Sequence, residues 1–378
     1  MNILFVTETY LPFIGGVSSS SDSIARFMAS RGHTVMVVSP KPVLPGNVPP
    51  APHLKFVTTP SIPDLVYRGK PMTPFPLGFP VIERQLRKNH FDVVHIQEPG
   101  SLGVSALLAA KLFGVPTVGA LHFTPDQTAR LITGGRSAAI ELLTEGYIRS
   151  IYNLYTAIMV PTQTFAKFLH GLGVTRPVHV VSNGVDTDLF TPARKKSLHK
   201  DITTFLYLGR IDKDKNVKTV VSAMRYTKPG VRLIIAGNGK EKESLIAYAK
   251  KLSVDQKILW KGTVSQQQMI KLYQAVDGFT IMAEYEIQSI VTLQALASGL
   301  PVLLARAGAL PELVKEGENG YLIEPHDVKK LAEKMNYLAD HPLVRQRMGE
   351  ESRKISLAHH KPVVLKRLED LYKQVQET

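Results

Sequence analysis

Short runs of β-branched and aliphatic residues alternate with stretches of helical periodicity along almost the whole chain. Residues 2–6, 34–39, 92–97, 117–121 and 157–161 predict strands, with helices over 18–30, 104–113 and 138–152 between them. The alternation then begins again. Strands are expected over 203–209, 232–236, 257–260, 279–282 and 302–304, and helices over 217–224, 241–252, 266–275 and 287–298. Strands that regularly alternate with helices form a parallel sheet covered on both faces. Two such sets predict two Rossmann-like α/β domains facing across a cleft, where the carboxyl ends of open parallel sheets bind ligands.

The basic stretch from Pro192 to Lys200 separates the two sets and is the expected linker. Domains are therefore placed at 1–195 and 196–359, with a helix over 360–378 returning to the first. A chain of 378 residues supports two cores of ordinary size, and 44% hydrophobic against 21% charged residues is a globular balance. There is no Cys, so disulfides, thiolate metal sites and a cysteine nucleophile are excluded. The start, Met1-Asn2-Ile3-Leu4-Phe5-Val6, lacks a positive leader and meets Thr7 and Glu8 at once, which argues for a cytoplasmic protein.

Charge adds a partner. Lys and Arg total 46 against 32 Asp and Glu, a net of +14, which favours a polyanion or an anionic membrane. No nucleic-acid-binding signature accompanies the excess, so no nucleic-acid partner is expected. A generally basic surface kept for solubility remains the alternative.

The segment Ala283-Glu284-Tyr285-Glu286-Ile287-Gln288-Ser289 carries the most chemistry. A strand ends in an acidic turn, a helix is expected from Ile287, and Gln294 follows Glu286 by eight positions, about two helical turns. Glu286 and Gln294 could then address one elongated ligand, with a phosphate at the helix start. Strand, acidic turn and helix also recur in α/β proteins without any ligand.

In order along the chain stand Pro12-Phe13-Ile14-Gly15-Gly16-Val17, Gly119-Ala120-Leu121-His122-Phe123-Thr124, Val160-Pro161-Thr162-Gln163 and Ser182-Asn183-Gly184-Val185-Asp186. The second half adds Leu208-Gly209-Arg210-Ile211-Asp212-Lys213-Asp214-Lys215-Asn216, Ile235-Ala236-Gly237-Asn238-Gly239 and Gly308-Ala309-Leu310-Pro311-Glu312. With these motifs the chain resembles a family 4 glycosyltransferase of GT-B fold over nearly its full length. The resemblance implies transfer of a hexose from a nucleotide sugar with retention of configuration, and no cofactor or bound metal. By that resemblance Arg210 and Lys215 grip the donor pyrophosphate, while His122 and Glu286 reach the transferred sugar from the two domains. Gly15, Gly16, Gly209, Ile287, Gln288, Ser289 and Gln294 would line the donor. Asn183 and Asp186 are expected to shape a turn. A solvated loop in which Arg210 and Lys215 merely pair with Asp212 and Asp214 is the alternative.

Gln294 departs from the family pattern, which usually has a second glutamate accepting from the donor ribose; Ser289 stands where glycine is common. Glu286-Ile287-Gln288-Ser289 also resembles the Glu-Thr-Gln-Gly of diacylglycerol glucosyltransferases, with lipid mannosyltransferases close behind. UDP-glucose is thus the favoured donor and GDP-mannose the alternative, with a lipid acceptor at the inner membrane face. A soluble or polyprenyl-linked saccharide acceptor, or a nucleotide-sugar-binding subunit without turnover, are the other readings. The run from Arg68 to Pro80 is too rich in Pro and Gly for regular structure yet carries Met72, Phe75, Leu77 and Phe79. A helix with Arg84, Arg87 and Lys88 follows it. An apolar loop beside basic residues suits peripheral insertion into an anionic membrane; a loop packed on its own domain is the competing reading.

Overall fold

A computed structural model describes residues 1–13, 16–42, 49–63, 71–193 and 201–377. Gly15, Arg68 to Lys70 and 194–200 of the expected linker lie outside these residues. The chain divides into two compact units, Met1–Ser182 with Val364–Thr378, and Asn183–Val363. This break falls before the expected 195/196 boundary, because Asn183 and the turn after it are hydrogen-bonded to residues of the second unit: its N–H donates to Gln288 Oε1 at 2.7 Å.

In chain order the first unit runs β1 Asn2–Val6, α1 Gly16–Ser30, β2 Thr34–Pro40, β3 Leu54–Thr59, β4 Ile62–Pro63, β5 Pro71–Met72, α2 Phe79–Lys88 and β6 Val93–Ile96. It continues through α3 Ser101–Leu112, β7 Thr117–Ala120, α4 Pro125–Thr133, α5 Ala138–Tyr152, β8 Ala157–Val160, α6 Gln163–Gly171 and β9 Val178–Val180. Seven strands form a parallel sheet in the order β3-β2-β1-β6-β7-β8-β9. The order reverses at β1, so a crevice opens at the carboxyl ends of β1 and β6. The runs Ile3 to Val6 and Val35 to Val38 are buried throughout, as befits strands covered on both faces.

The second unit contains β10 Thr203–Leu208, α7 Val217–Ala223, β11 Val231–Ala236, α8 Lys242–Lys251, β12 Ile258–Gly262, α9 Gln266–Ala275 and β13 Gly278–Ile281. After these come α10 Ile290–Ala297, β14 Val302–Ala305, β15 Gly320–Ile323, α11 Val328–Asp340 and α12 Pro342–Leu357. Its six-stranded parallel sheet, β12-β11-β10-β13-β14-β15, reverses at β10. The loops that follow β10 and β13 therefore flank its crevice. The last helix, α13 Lys361–Gln376, places Val364, Leu365, Leu368, Leu371, Tyr372 and Val375 in the core of the first unit.

Candidate active site

In the second unit the two switch-point loops bring the predicted charges together. After β10 the backbone at Gly209 passes so close to the loop after β11 that a Cβ on Gly237 would lie 1.8 Å from the Gly209 carbonyl oxygen. Only glycine fits that crossing. A 3-10 turn over Lys213–Lys215, ended by Asn216 in the left-handed region, then aims Lys215 at the loop after β13. Lys215 Nζ donates to Glu286 Oε1 at 2.8 Å and lies 3.6 Å from Asp214, the Lys215 and Glu286 side chains each being 14% exposed. Arg210, 63% exposed, pairs with Asp212 and, at 3.1 Å, with Asp214.

The two cations are held differently. Exposed pairs such as those of Arg210 contribute little, up to about 1 kcal/mol. Removing one partner of a largely buried pair such as Lys215–Glu286 leaves a charge without compensation. Glu286 is also braced from behind: the Ala309 N–H donates to its carbonyl at 2.9 Å. A Cβ on Gly308, whose φ is +54°, would come within 2.7 Å of that same oxygen. The segment 308–309 therefore supports Glu286.

The helix that follows begins later than expected. Ile287 and Gln288 precede it, and α10 starts at Ile290 because Ser289 caps it, its Oγ accepting the Thr292 N–H at 3.3 Å. Gln288 is buried, and its side-chain oxygen takes the Asn183 N–H. Asp186 accepts from the N–H groups of Asp188 and Leu189 at 3.1 and 2.9 Å, a local turn. Gln294 Oε1 lies 3.2 Å from the hydroxyl of the buried Tyr273, which also reaches the Val291 carbonyl at 2.8 Å. Tyr273 has one proton for these two acceptors. A Gln294 turned to offer its NH₂ would relieve that competition, so the amide in place of a carboxylate suits its neighbour.

In the first unit, His122 lies between two fixed points. Tyr152 Oη donates to the Ala120 carbonyl at 2.7 Å, and Thr124 caps α4 through the Gln127 N–H. Burial pulls the His122 pKa down to about 4, and its Nε2, shielded from water, has no hydrogen-bond partner among the described residues. A neutral imidazole with an unsatisfied nitrogen can orient a hydroxyl group. Nearby His95 is also lowered to about 4, by burial first; its bond to Gln97 opposes the shift and His122 adds to it. His95 stacks on Phe5 with centroids 4.6 Å apart and bonds Tyr372 at 2.7 Å.

Two carboxylates here escaped the sequence reading. Glu98, after β6, accepts from the Glu8 N–H at 3.0 Å and from the hydroxyls of Thr7 and Thr9. Glu8, after β1, accepts the Leu102 and Gly103 N–H groups at 2.7 and 3.1 Å, in the first turn of α3. The signal was present: each is an acidic residue directly beyond an apolar strand end. Gly16 is exposed at the start of α1, with open space where a Cβ would stand.

Residues 14–189 match the model described as Glycosyltransferase Family 4, and residues 190–355 match that of Glycosyl transferases group 1. The chain belongs to the family 4 glycosyltransferases. It is 27% identical to a GDP-mannose-dependent alpha-mannosyltransferase of Mycobacterium tuberculosis, with 99% of this chain and 97% of that protein covered. It is 26% identical to an alpha-monoglucosyldiacylglycerol synthase of Acholeplasma laidlawii, covering 98% and 96%. The solved structure of Anabaena Alr3699/HepE in complex with UDP superimposes with a TM-score of 0.78 at 18% identity, covering 99% and 100%. This glycosyltransferase has the GT-B fold, with two parallel-sheet α/β domains.

The apolar surface of its first unit differs from the expected one. Met72 is half-buried in the β4–β5 pair and Phe79 is half-buried in the first turn of α2, which admits Pro80. The run to Pro80 thus holds a short strand and a helix start, where no regular structure was expected. Phe75 and Leu77 remain exposed. Arg84, Arg87 and Lys88 are exposed on α2, with Arg87 bonded to Glu83 at 2.8 Å and placed over the Phe113 ring. A larger apolar surface lies on α4 and α5, where Leu142 and Leu143 are 69% and 72% exposed and Leu131, Ile132 and Tyr147 are also exposed. Contacts link the two surfaces: Ser101 Oγ donates to the Thr73 carbonyl, and Tyr147 Oη to that of Pro99.

Proposed function

We propose that this enzyme moves a hexose from a nucleotide sugar to a membrane lipid, with retention of configuration and without a bound metal. UDP-glucose is the favoured donor and GDP-mannose the alternative. The observation that carries the reading is the meeting of Lys215, Glu286 and Arg210 on the two loops flanking the second unit's switch point. Asp212, Asp214 and Glu286 hold these cations where a diphosphate would otherwise be their partner. As the bond from the anomeric carbon to phosphate breaks, Arg210 and Lys215 stabilise the charge growing on the leaving oxygen. The acceptor hydroxyl oxygen bonds to the same carbon, and its proton passes to the departing phosphate. Glu286, exchanged from Lys215, contacts sugar hydroxyls; in the first unit the neutral His122 nitrogen can take a hydroxyl of its own.

The lipid acceptor is supported by the names of the relatives, one of which is a diacylglycerol-linked glucosyl synthase, and by the exposed Leu142, Leu143, Phe75 and Leu77. Among the described residues no helix is long and apolar enough to cross a membrane. Docking would therefore be peripheral, on an anionic inner surface attracted by the +14 net charge. Incubation with several nucleotide sugars and anionic vesicles, followed by lipid extraction and mass spectrometry, tests the proposal. A hexosyl lipid is expected. A sugar transferred solely to soluble glycans, or nucleotide binding without turnover, would overturn the lipid reading or the catalytic one respectively.

A further inference from the structure

A groove of about 600 Å³ lies in the first unit between α6 and α13, floored by β9, the last strand of the sheet. None of the residues proposed for sugar transfer lines it. One wall is a single face of α6, where Lys167 and His170 stand one turn apart; the other is a face of α13 with Arg367 and Asp370. His179 rises from the floor. Asp370 already accepts Lys366 Nζ at 2.9 Å. Lys167 and Arg367 make no ion pair among the described residues, and the carboxylate in the lining, Asp370, is taken up by Lys366, so two cations from opposite walls share one concavity. His170 Nδ1 lies 3.3 Å from the Val174 carbonyl oxygen, which as its acceptor leaves Nε2 for another partner. Burial lowers the His179 pKa, and an anion in the groove would reverse that by favouring the imidazolium.

We infer that this groove is a second anion site, built for a phosphate monoester held between Lys167 and Arg367. Two fixed cations from opposite walls, with two imidazole rings beside them, match a dianion better than a carboxylate. Partial enclosure strengthens such charge-assisted bonds relative to open water. The monoester could belong to a soluble sugar or glycerol phosphate or to a phosphatidic acid headgroup, since the shared chemistry is the same.

The test follows the His170 and His179 ring resonances of the full-length enzyme labelled at histidine, with UDP at saturation to occupy the donor site. Glycerol 3-phosphate, and in a second arm phosphatidylcholine vesicles with or without phosphatidic acid, serve as probes. Saturable shifts are expected with at least one phosphate monoester. In Lys167→Ala/Arg367→Ala the half-saturating concentration should rise at least tenfold, while Lys167→Arg and Arg367→Lys stay within a few-fold of the natural chain. The melting temperature and UDP affinity should be unchanged in all of them. Response to glycerol 3-phosphate alone assigns a soluble ligand, and response to phosphatidic acid vesicles alone a headgroup. Shifts that do not saturate with either, or that persist undiminished in the double alanine variant, would overturn the site.

Discussion

The two switch-point crevices share a strand topology and differ in how they manage charge. In the second unit charges are kept and balanced: Lys215 against Glu286, Arg210 against Asp212 and Asp214. In the first unit charge on the rings is suppressed by removing water, so His95 and His122 remain neutral, while Glu8 and Glu98 rest on N–H and hydroxyl donors. A loop that keeps cations ready suits a polyanion such as a diphosphate. Neutral rings suit hydroxyl groups. The same scaffold thus supports two chemistries because the residues after its strands differ.

The largest effect should come from breaking the balanced side. Lys215→Ala and Arg210→Ala are each expected to lower kcat/KM at least about 10²-fold, since each withdraws charge from the leaving diphosphate. They should part company in stability. Lys215→Ala leaves the largely buried Glu286 alone and should lower the melting temperature, whereas Arg210→Ala removes only exposed pairs and should not. Steady-state kinetics with thermal unfolding checks both; unchanged kinetics in both variants would show these cations to be structural.

The neutral side is tested by acid. His95 and His122 have folded-state pKa values of about 4, below the roughly 6.5 of an unfolded histidine. Between those values the unfolded chain binds protons that the native one refuses, so stability is complete above about pH 6.5 and is lost as pH falls towards 4. Each ring contributes at most about 1.4 kcal/mol per pH unit in that window. Urea midpoints at pH 5 and 7.5 should differ less in His122→Gln than in the natural chain. An equal difference would mean that His122 is already charged in the native state.

Leu142→Ser/Leu143→Ser asks whether the neutral unit also carries the membrane face. Vesicle affinity should fall about tenfold or more, since even partial insertion of two leucines is worth over 1.4 kcal/mol. Phe75→Ser should cost less, and high salt should weaken binding in every variant. Sedimentation with anionic and neutral vesicles decides it; equal binding to both, unaltered by the substitutions, removes the membrane from the account.

The smallest expected change sharpens the charged side. Gln294→Glu should lower the donor Kd about 5- to 10-fold, near 1 kcal/mol, with kcat almost unchanged, because the ribose is remote from the breaking bond. The new carboxylate would compete with the Val291 carbonyl for the Tyr273 proton. Calorimetry of Gln294→Glu with and without Tyr273→Phe separates the two demands. If neither variant tightens the donor, Gln294 faces Tyr273 alone.

Much of this was legible because the alternation of strand and helix runs through both units. Helices over Ala138–Tyr152 and Gln266–Ala275 have the bounds that their periodicity predicts. The strands agree to within a residue or two at each end, since runs such as Leu4-Phe5-Val6 have no other way to bury both faces. Elements with weaker patterns escaped: β3 is buried only at its two ends, Leu54 and Thr59, and has no strong apolar run, and β9 is three residues at the sheet edge. The helix after Glu286 was expected three residues early because Ser289 was read as a variant glycine, although a serine before an apolar helix is also a cap. Arg210, Lys215 and Glu286 were singled out through the family resemblance, and the structure places all three on loops after strand ends, with Lys215 bonded to Glu286. The Gln294–Tyr273 contact could not be found, because it joins two helices whose spacing no local pattern encodes.

Helix α13 has a consequence for the order in which a ribosome delivers this protein. Asn183–Val363 is continuous in sequence, and the core of that unit is complete once its last residue has emerged. The other core lacks Leu368, Leu371 and Tyr372 until the final stretch is made, and with Tyr372 the partner of His95. The first half to leave the exit tunnel is therefore the last able to settle, holding an open parallel sheet through the synthesis of its neighbour. Chaperone demand during translation should fall on the N-terminal strands, and ribosome-bound chains stalled before residue 364 should be protease-sensitive there while Asn183–Val363 resists.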